Sequence, residues 1–225
     1  MSSTFDIDDA PAEPVDGRTA RAVRTRGAIV DATLALLASG DVRPSAPRIA
    51  EKAEVSVRSV FQHFDDLETL YAAVGARVTE QLAELVRPVD MALGPAERVV
   101  AFCQQRGRIN EALTPTLRAA VVHAPGSPTI NSQFQAGHDF VAARLAEAFA
   151  PELDRAGDRR ELVLDSLVAV GSWSTWNSIR TLGSRGPAEA ELVVANLVAS
   201  ILGDVLGESL TAAVSELYDS GWAPQ

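Results

Sequence analysis

The nucleophile and bases most readily imagined for catalysis are Cys103, His123 and His138. No activating spacing joins them, and no Gly-rich phosphate loop, HExxH pair or cluster of metal ligands accompanies them. The chain has 3 histidines in 225 residues, and one of these, His63, belongs elsewhere. The expectation is therefore no catalytic residue, no metal and no cofactor. A different chemistry is offered by residues 45–64, SAPRIAEKAEVSVRSVFQHF. Here Arg48, Lys52 and Arg58 supply cations beside Ser45, Ser56, Ser59, Gln62 and His63. A planar arginine fork matches the paired acceptors of guanine, a glutamine amide matches adenine, and short cationic side chains suit phosphates.

Such groups work only if short elements hold them at a fixed angle. Ser45 can cap a short helix carrying Ile49, Ala50 and Ala53, with Pro47 tolerated in its first turn. Ser56 can cap another through about His63, with Val57, Val60, Phe61 and Phe64 as its apolar residues, expected inward. Two helices this close need a small side chain where they cross, and Ala50 is placed there. This is helix-turn-helix logic, in which the second helix enters the major groove and presents its N-terminal side chains. Val57, Arg58, Ser59 and Gln62 would reach bases, with His63 near the phosphates.

The rest of the chain is patterned as helix throughout, with apolar residues at i, i+3 and i+4 and no strand signal. A first helix is expected over residues 19–39, ended by Gly40. A fourth starts at an Asp65/Glu68 capping pair and carries Leu67, Leu70, Tyr71, Val74, Val78, Leu82 and Leu85. Pro88 and Gly94-Pro95 then mark a domain boundary. Beyond it, helices are expected at 95–112, 115–123, 128–150, 158–183 and 187–218, separated by Pro- and Gly-containing breaks. The helix at 158–183 is apolar on both sides, and the last carries a small-residue stripe, Ala195, Ala199 and Gly203. Both are expected to pack against a second copy of the chain as a four-helix interface.

Charge is unevenly distributed. The net value is −10, yet residues 18–63 carry +4, against −5 over residues 1–17 and −9 over the remainder. Only that middle block suits a polyanion. Residues 1–17 read as an acidic disordered tail without the features of a secretory signal. A lone cysteine and the lack of an apolar run near 18 residues fit a soluble protein of a reducing compartment, so a cytoplasmic location with no membrane partner is expected.

Residues 24–86 resemble the DNA-binding domain of TetR/AcrR-family transcriptional regulators. Ile49-Ala50, Ala53, Val55-Ser56, Val60-Phe61, His63-Phe64 and Glu68 to Leu70 fall in register with that family's motif. Three positions depart from it: Glu54 stands where the family has glycine in the turn, Phe61 where it has tyrosine, and Leu67 where it has lysine. The resemblance implies an all-α protein with a DNA-binding domain over residues 18–86, including the linking fourth helix. Residues 87–225 would form a ligand-binding and dimerisation bundle. It also implies a homodimer on a roughly palindromic operator, probed by Ser45, Arg48, Lys52, Ser56, Val57, Arg58, Ser59, Gln62 and His63. A small lipophilic effector would be held by residues drawn from Phe102, Arg118, His123, Phe134, His138, Trp173, Trp176 and Asn177, and would release the repressor. The alternatives are a helical ligand- or protein-binding module that has lost DNA binding and, further off, an all-α enzyme.

Overall fold

In the computed structural model, residues 17–224 are described; the expected acidic tail lies almost wholly outside them. Eleven α-helices are present among the described residues, and no strand. They are α1 (Gly17–Ala38), α2 (Ala46–Lys52), α3 (Val57–His63), α4 (Leu67–Ala83), α5 (Pro95–His123), α6 (Pro128–Ala148), α7 (Ala150–Arg155), α8 (Arg160–Gly171), α9 (Trp173–Asn177), α10 (Pro187–Leu206) and α11 (Thr211–Asp219).

Helices α1 to α4 close around Ile29, Leu37, Ile49, Val60, Phe64 and Leu70, each no more than 2% exposed. Helices of seven residues do not persist alone, so α2 and α3 exist because this shared core holds them. The core is not completed within residues 18–86. Ala119 of α5 and Ile130 of α6, at 1% and 3% exposed, are part of it. A second core lies among α5 to α11, with Val99, Phe149, Leu153, Leu167, Trp176, Val198 and Leu202 at its centre. Inside it Arg98 and Glu152 pair, 5% and 2% exposed, and Arg98 also donates to the Leu93 carbonyl at 2.7 Å.

Four boundaries differ from the pattern reading. Helix α5 runs without interruption through Pro115. The proline removes one ladder donor, but the Thr114 hydroxyl donates to the Asn110 carbonyl at 2.7 Å, and Trp173 Nε1 donates to Thr114 Oγ1 at 3.0 Å. Bonds to α9 therefore hold the segment where a free helix would kink. The helix expected at 158–183 stops at Gly171, because Ser172 turns extended and its Oγ accepts from the Thr175 amide at 3.2 Å to begin α9. Residues 178–182 then form a π turn. The helix expected at 187–218 ends at Gly207, whose φ of 75° is a left-handed cap. Finally, α4 is capped by Asp66 rather than Asp65. Asp66 accepts from both the amide and the hydroxyl of Thr69, at 2.7 and 2.8 Å, and these bonds hold its carboxyl below the usual carboxylate range.

The small-residue stripe of α10 does not serve a second copy of the chain. Ala195 and Ala199 are 0% exposed within this single chain, packed in its own core. A Cβ on Gly203 would lie 2.6 Å from the Glu208 carbonyl oxygen, so that glycine lets the chain fold back toward α11. What α8 and α10 leave outward is a different set: Leu162 at 67%, Val193 at 38% and Leu197 at 43% exposed. Among the described residues no helix is long and apolar enough to cross a membrane.

Candidate nucleic-acid interface

The turn between α2 and α3 is built by backbone. The Val55 amide donates to the Ala50 carbonyl at 2.9 Å, drawing the two helices together over Ala50, itself 2% exposed. Glu54 sits in this turn with φ 55°, the left-handed conformation that the family's glycine implied. A side chain there costs on the order of 1 kcal/mol relative to glycine. The Ser56 hydroxyl accepts from the Ser59 amide at 3.0 Å and so caps α3. Ser45 occupies the corresponding position before α2, but its hydroxyl makes no capping bond. Pro47, at the second helical position, has no N–H to give.

A helix of this length packed on one side buries a single stripe. Val60 and Phe64 form it, at 1% and 2% exposed. Phe61 and Val57, both expected inward, stand out at 50% and 40% exposed. Arg58 and Gln62 are exposed with them, while Ser59 and His63 lie half-buried at the edges. The outward face of α3 therefore offers a guanidinium, an amide, a serine-capped N-terminus and two apolar surfaces, from one side of one short helix.

The surrounding cations are not equivalent. Lys52 is exposed at the end of α2. Arg48 is exposed but pairs with Asp41 at 2.6 Å, so any phosphate it meets must compete with that carboxylate. Arg26 lies over the Phe64 ring, 4.6 Å from its centroid, and so helps to cover the core beneath α3. Leu67 is half-buried against this core, and the adjacent Glu68 accepts from the Ser127 hydroxyl of the α6 cap at 2.8 Å.

That last bond opens a seam between the first four helices and the bundle. Tyr71 of α4 stacks on His123 at the end of α5, with ring centroids 4.4 Å apart. Burial pushes the Tyr71 hydroxyl up to about 12 and draws the His123 imidazole down, the latter partly offset by a bond to the Val42 backbone. Gln133 Nε2 of α6 donates to the Ala72 carbonyl at 3.2 Å, and a Cβ on Gly75 would come within 2.7 Å of the Gln133 amide oxygen.

The eight residues named for an effector fall into four places. Arg118, Trp173, Trp176 and Asn177 share the seam between α5 and α9. There Arg118 donates to Asn177 Oδ1 at 3.2 Å, and Trp176 Nε1 donates to Glu111 Oε1 at 2.8 Å. Arg180 also holds Glu111, at 2.7 Å, and their bond is the main cause of the lowered Glu111 carboxyl. His123 and Phe134 pack on the core of the first four helices instead. His138 is exposed beside Asp139. Phe102 lines two small adjoining clefts between α5, α6 and residues 86–91, of about 20 and 130 Å³. Their polar walls, with Arg106 on the smaller cleft, Arg87 on the larger and Gln105 and Arg144 on both, were not singled out by the pattern reading, because solvated arginines at helical spacing look alike in sequence. Cys103 is fully buried and its thiol is pushed up by that burial, the reverse of an activated nucleophile. Among the described residues no cluster of acidic, histidine or cysteine side chains is arranged to hold a metal.

No family model matches the sequence, and no curated protein matches it. Two solved structures resemble the fold. One, from Mesorhizobium loti MAFF303099, is assigned to the TetR family of transcriptional regulators; it is 23% identical, with a TM-score of 0.61 over 82% of this chain and 98% of its own. The other, a transcriptional regulator from Rhodococcus sp. Rha1, is 19% identical, with a TM-score of 0.61 over 81% of this chain and 96% of its own. The chain thus has the all-helical fold of these regulators along nearly their whole length.

Proposed function

We propose that this protein is a sequence-specific, DNA-binding transcriptional regulator of the TetR type that acts as a homodimer. The observation that carries the reading is the outward face of α3: Arg58 and Gln62 project from a short, serine-capped helix anchored only by Val60 and Phe64. This is the geometry a recognition helix needs to enter a major groove. Residues 18–86 form the DNA-binding part, with Lys52 and Arg48 on the backbone and Ser45, Ser56, Val57, Ser59 and His63 at the contact edge. Residues 87–225 form the part that dimerises and holds an effector. Two copies meet through the outer faces of α8 and α10, where Leu162, Val193 and Leu197 leave apolar surface uncovered. A two-fold pair then places two α3 helices on a roughly palindromic operator.

The seam between the two parts supports release from DNA by an effector. An effector that shifts α5 or α6 also shifts Ala119, His123 and Ile130 against α4 and the core beneath α3. If the effector prefers the displaced state, operator affinity falls by the same ratio, which makes the protein a repressor released by its ligand.

The test is fluorescence anisotropy with duplex DNA from upstream of the protein's own coding region, at two salt concentrations. Wild type binds specifically, and its affinity falls as salt rises. Arg58→Ala costs about 1–3 kcal/mol on the specific duplex and little on random DNA. Salt-insensitive binding, or an unaffected Arg58→Ala variant, rejects the assignment. It would instead favour a helical binding module without DNA.

A further inference from the structure

The outward side of α3 offers two chemistries at once. Arg58, and Lys52 at the end of α2, are exposed cations that make no ion pair among the described residues, whereas Arg48 is taken up by Asp41. Val57 and Phe61 stand out on the same helix at 40% and 50% exposed, four residues apart and so on one face. A phosphate backbone uses the cations and leaves the apolar pair unmatched. A ligand that matches the whole face carries carboxylates and apolar side chains together, since an exposed ring gains from any apolar group that covers it.

The chain carries such a segment itself. Phe5, Asp6, Ile7, Asp8 and Asp9 follow one another in a stretch, residues 1–17, that sums to −5, against +4 for residues 18–63. The run lies outside the described residues, but the point where it joins them fixes its reach. Gly17 opens α1, and Arg26 lies over Phe64 at the end of α3, so about 14 Å of helix separates the joining point from α3. The backbone from Phe5 to Gly17 can extend to about 40 Å, which covers that distance and the further length of α3, about 10 Å. Arg21 and Arg24, exposed along α1, continue the positive surface between the two.

We propose that the outer face of α3 docks the chain's own residues 5–9 and that this segment competes with DNA for the face. Asp6, Asp8 and Asp9 supply carboxylates to Arg58 and Lys52, and Phe5 and Ile7 cover Val57 and Phe61. Attachment to the same chain gives the segment an effective concentration on the order of mM, so contacts too weak to hold a free peptide suffice. Apparent affinity for any duplex is then reduced by the fraction of chains whose face is uncovered. The competition rests on the DNA-binding function proposed above and adds a regulation of that same site; the docking does not depend on it.

Docking is tested without DNA by treating the full chain with a water-soluble carbodiimide, which joins a carboxylate to an amine in contact with it. Lys52 is the sole lysine of the sequence, so its products are read directly by peptide mass spectrometry. Lys52 is joined to Asp6, Asp8 or Asp9, and in a mixture of unlabelled and isotope-labelled protein each product carries a single isotope. Absence of these products, or products of mixed isotope that place the segment on a second copy, overturns the proposal. Competition is tested at low salt with specific and random duplexes and two full-length variants, whose substitutions lie outside both cores. Asp6→Asn/Asp8→Asn/Asp9→Asn tightens binding to both duplexes about tenfold, a gain that shrinks as salt rises. Phe5→Ser/Ile7→Ser, with charge unchanged, tightens it about threefold. Unchanged affinity in both variants overturns the competition, and so does a gain in the charge variant alone, since the carboxylates then act through their field without docking. If the Lys52 products form but no duplex is bound, the docking stands and the DNA-binding reading fails.

Discussion

The core under α3 and the core of the bundle are both apolar, but they treat their cations in opposite ways. Around the first, arginine and lysine stay at the surface: Arg58 and Lys52 are exposed, and Arg26 lies across Phe64. Within the second, Arg98 is buried on Glu152 and Arg106 is half-buried, its Nε on the Gly171 carbonyl. The smaller core offers little depth in which to desolvate a charge, so its cations stay at the surface. The larger core of the bundle has that depth, and it holds Arg98 on an internal carboxylate.

The two cores also differ in self-sufficiency. The first needs Ala119 and Ile130 from the bundle, whereas the second core contains none of the residues of α1 to α4. The largest expected effect tests this directly. Ile130→Ala, far from α3 in sequence, destabilises the chain by about 2–5 kcal/mol in urea unfolding. It also weakens operator binding, since the core beneath the recognition helix is loosened. If Ile130→Ala unfolds the bundle while DNA binding persists, the dependence runs the other way.

A smaller effect sharpens the contrast within the first region. Glu54→Gly relieves the left-handed turn and stabilises the chain by about 1 kcal/mol, because only the folded state demands that conformation. A lowered unfolding midpoint for this variant means that the Glu54 side chain makes up for its backbone.

The smallest expected effect concerns the joint between the regions. His123 is held below its ordinary value chiefly by burial, so the unfolded chain takes up a proton more readily than the folded one. Its contribution is complete above about pH 6.5 and is lost as the pH falls below that value. Urea midpoints at pH 7.5 and 5.5, measured for wild type and His123→Gln, isolate it. The acid-side loss is larger in wild type, and an equal loss in both proteins separates His123 from the seam.

Much of the helical organisation was legible because it depends on local chemistry. Ser56 caps α3, Gly40 follows α1 with φ 93°, and Val60 and Phe64 lie inward by a spacing of four. The positive φ of Glu54 followed from the family resemblance rather than from the residue itself. Several of the positions that pattern reading missed are decided by partners distant in sequence. Pro115 stays helical because Trp173 bonds to the residue before it, 59 positions apart. The Ala195, Ala199 and Gly203 stripe looked suited to another chain, but it packs in its own core and allows the return to α11. Arg106 has the sequence signature of a solvated residue and differs only in what α6 and α8 place around it.

By itself the sequence determined that the chain is helical and where α2 and α3 begin. It also determined that cations gather near residues 18–63 while the rest is acidic, since capping, periodicity and charge act over a few residues. Tertiary structure alone decided that Phe61 faces out, that Arg48 meets Asp41, that the first core closes on Ala119 and Ile130, and that Arg106 is left without a counter-charge. Those outcomes depend on which surfaces meet after folding, and desolvation of a charge or a ring is a property of that meeting rather than of any one segment.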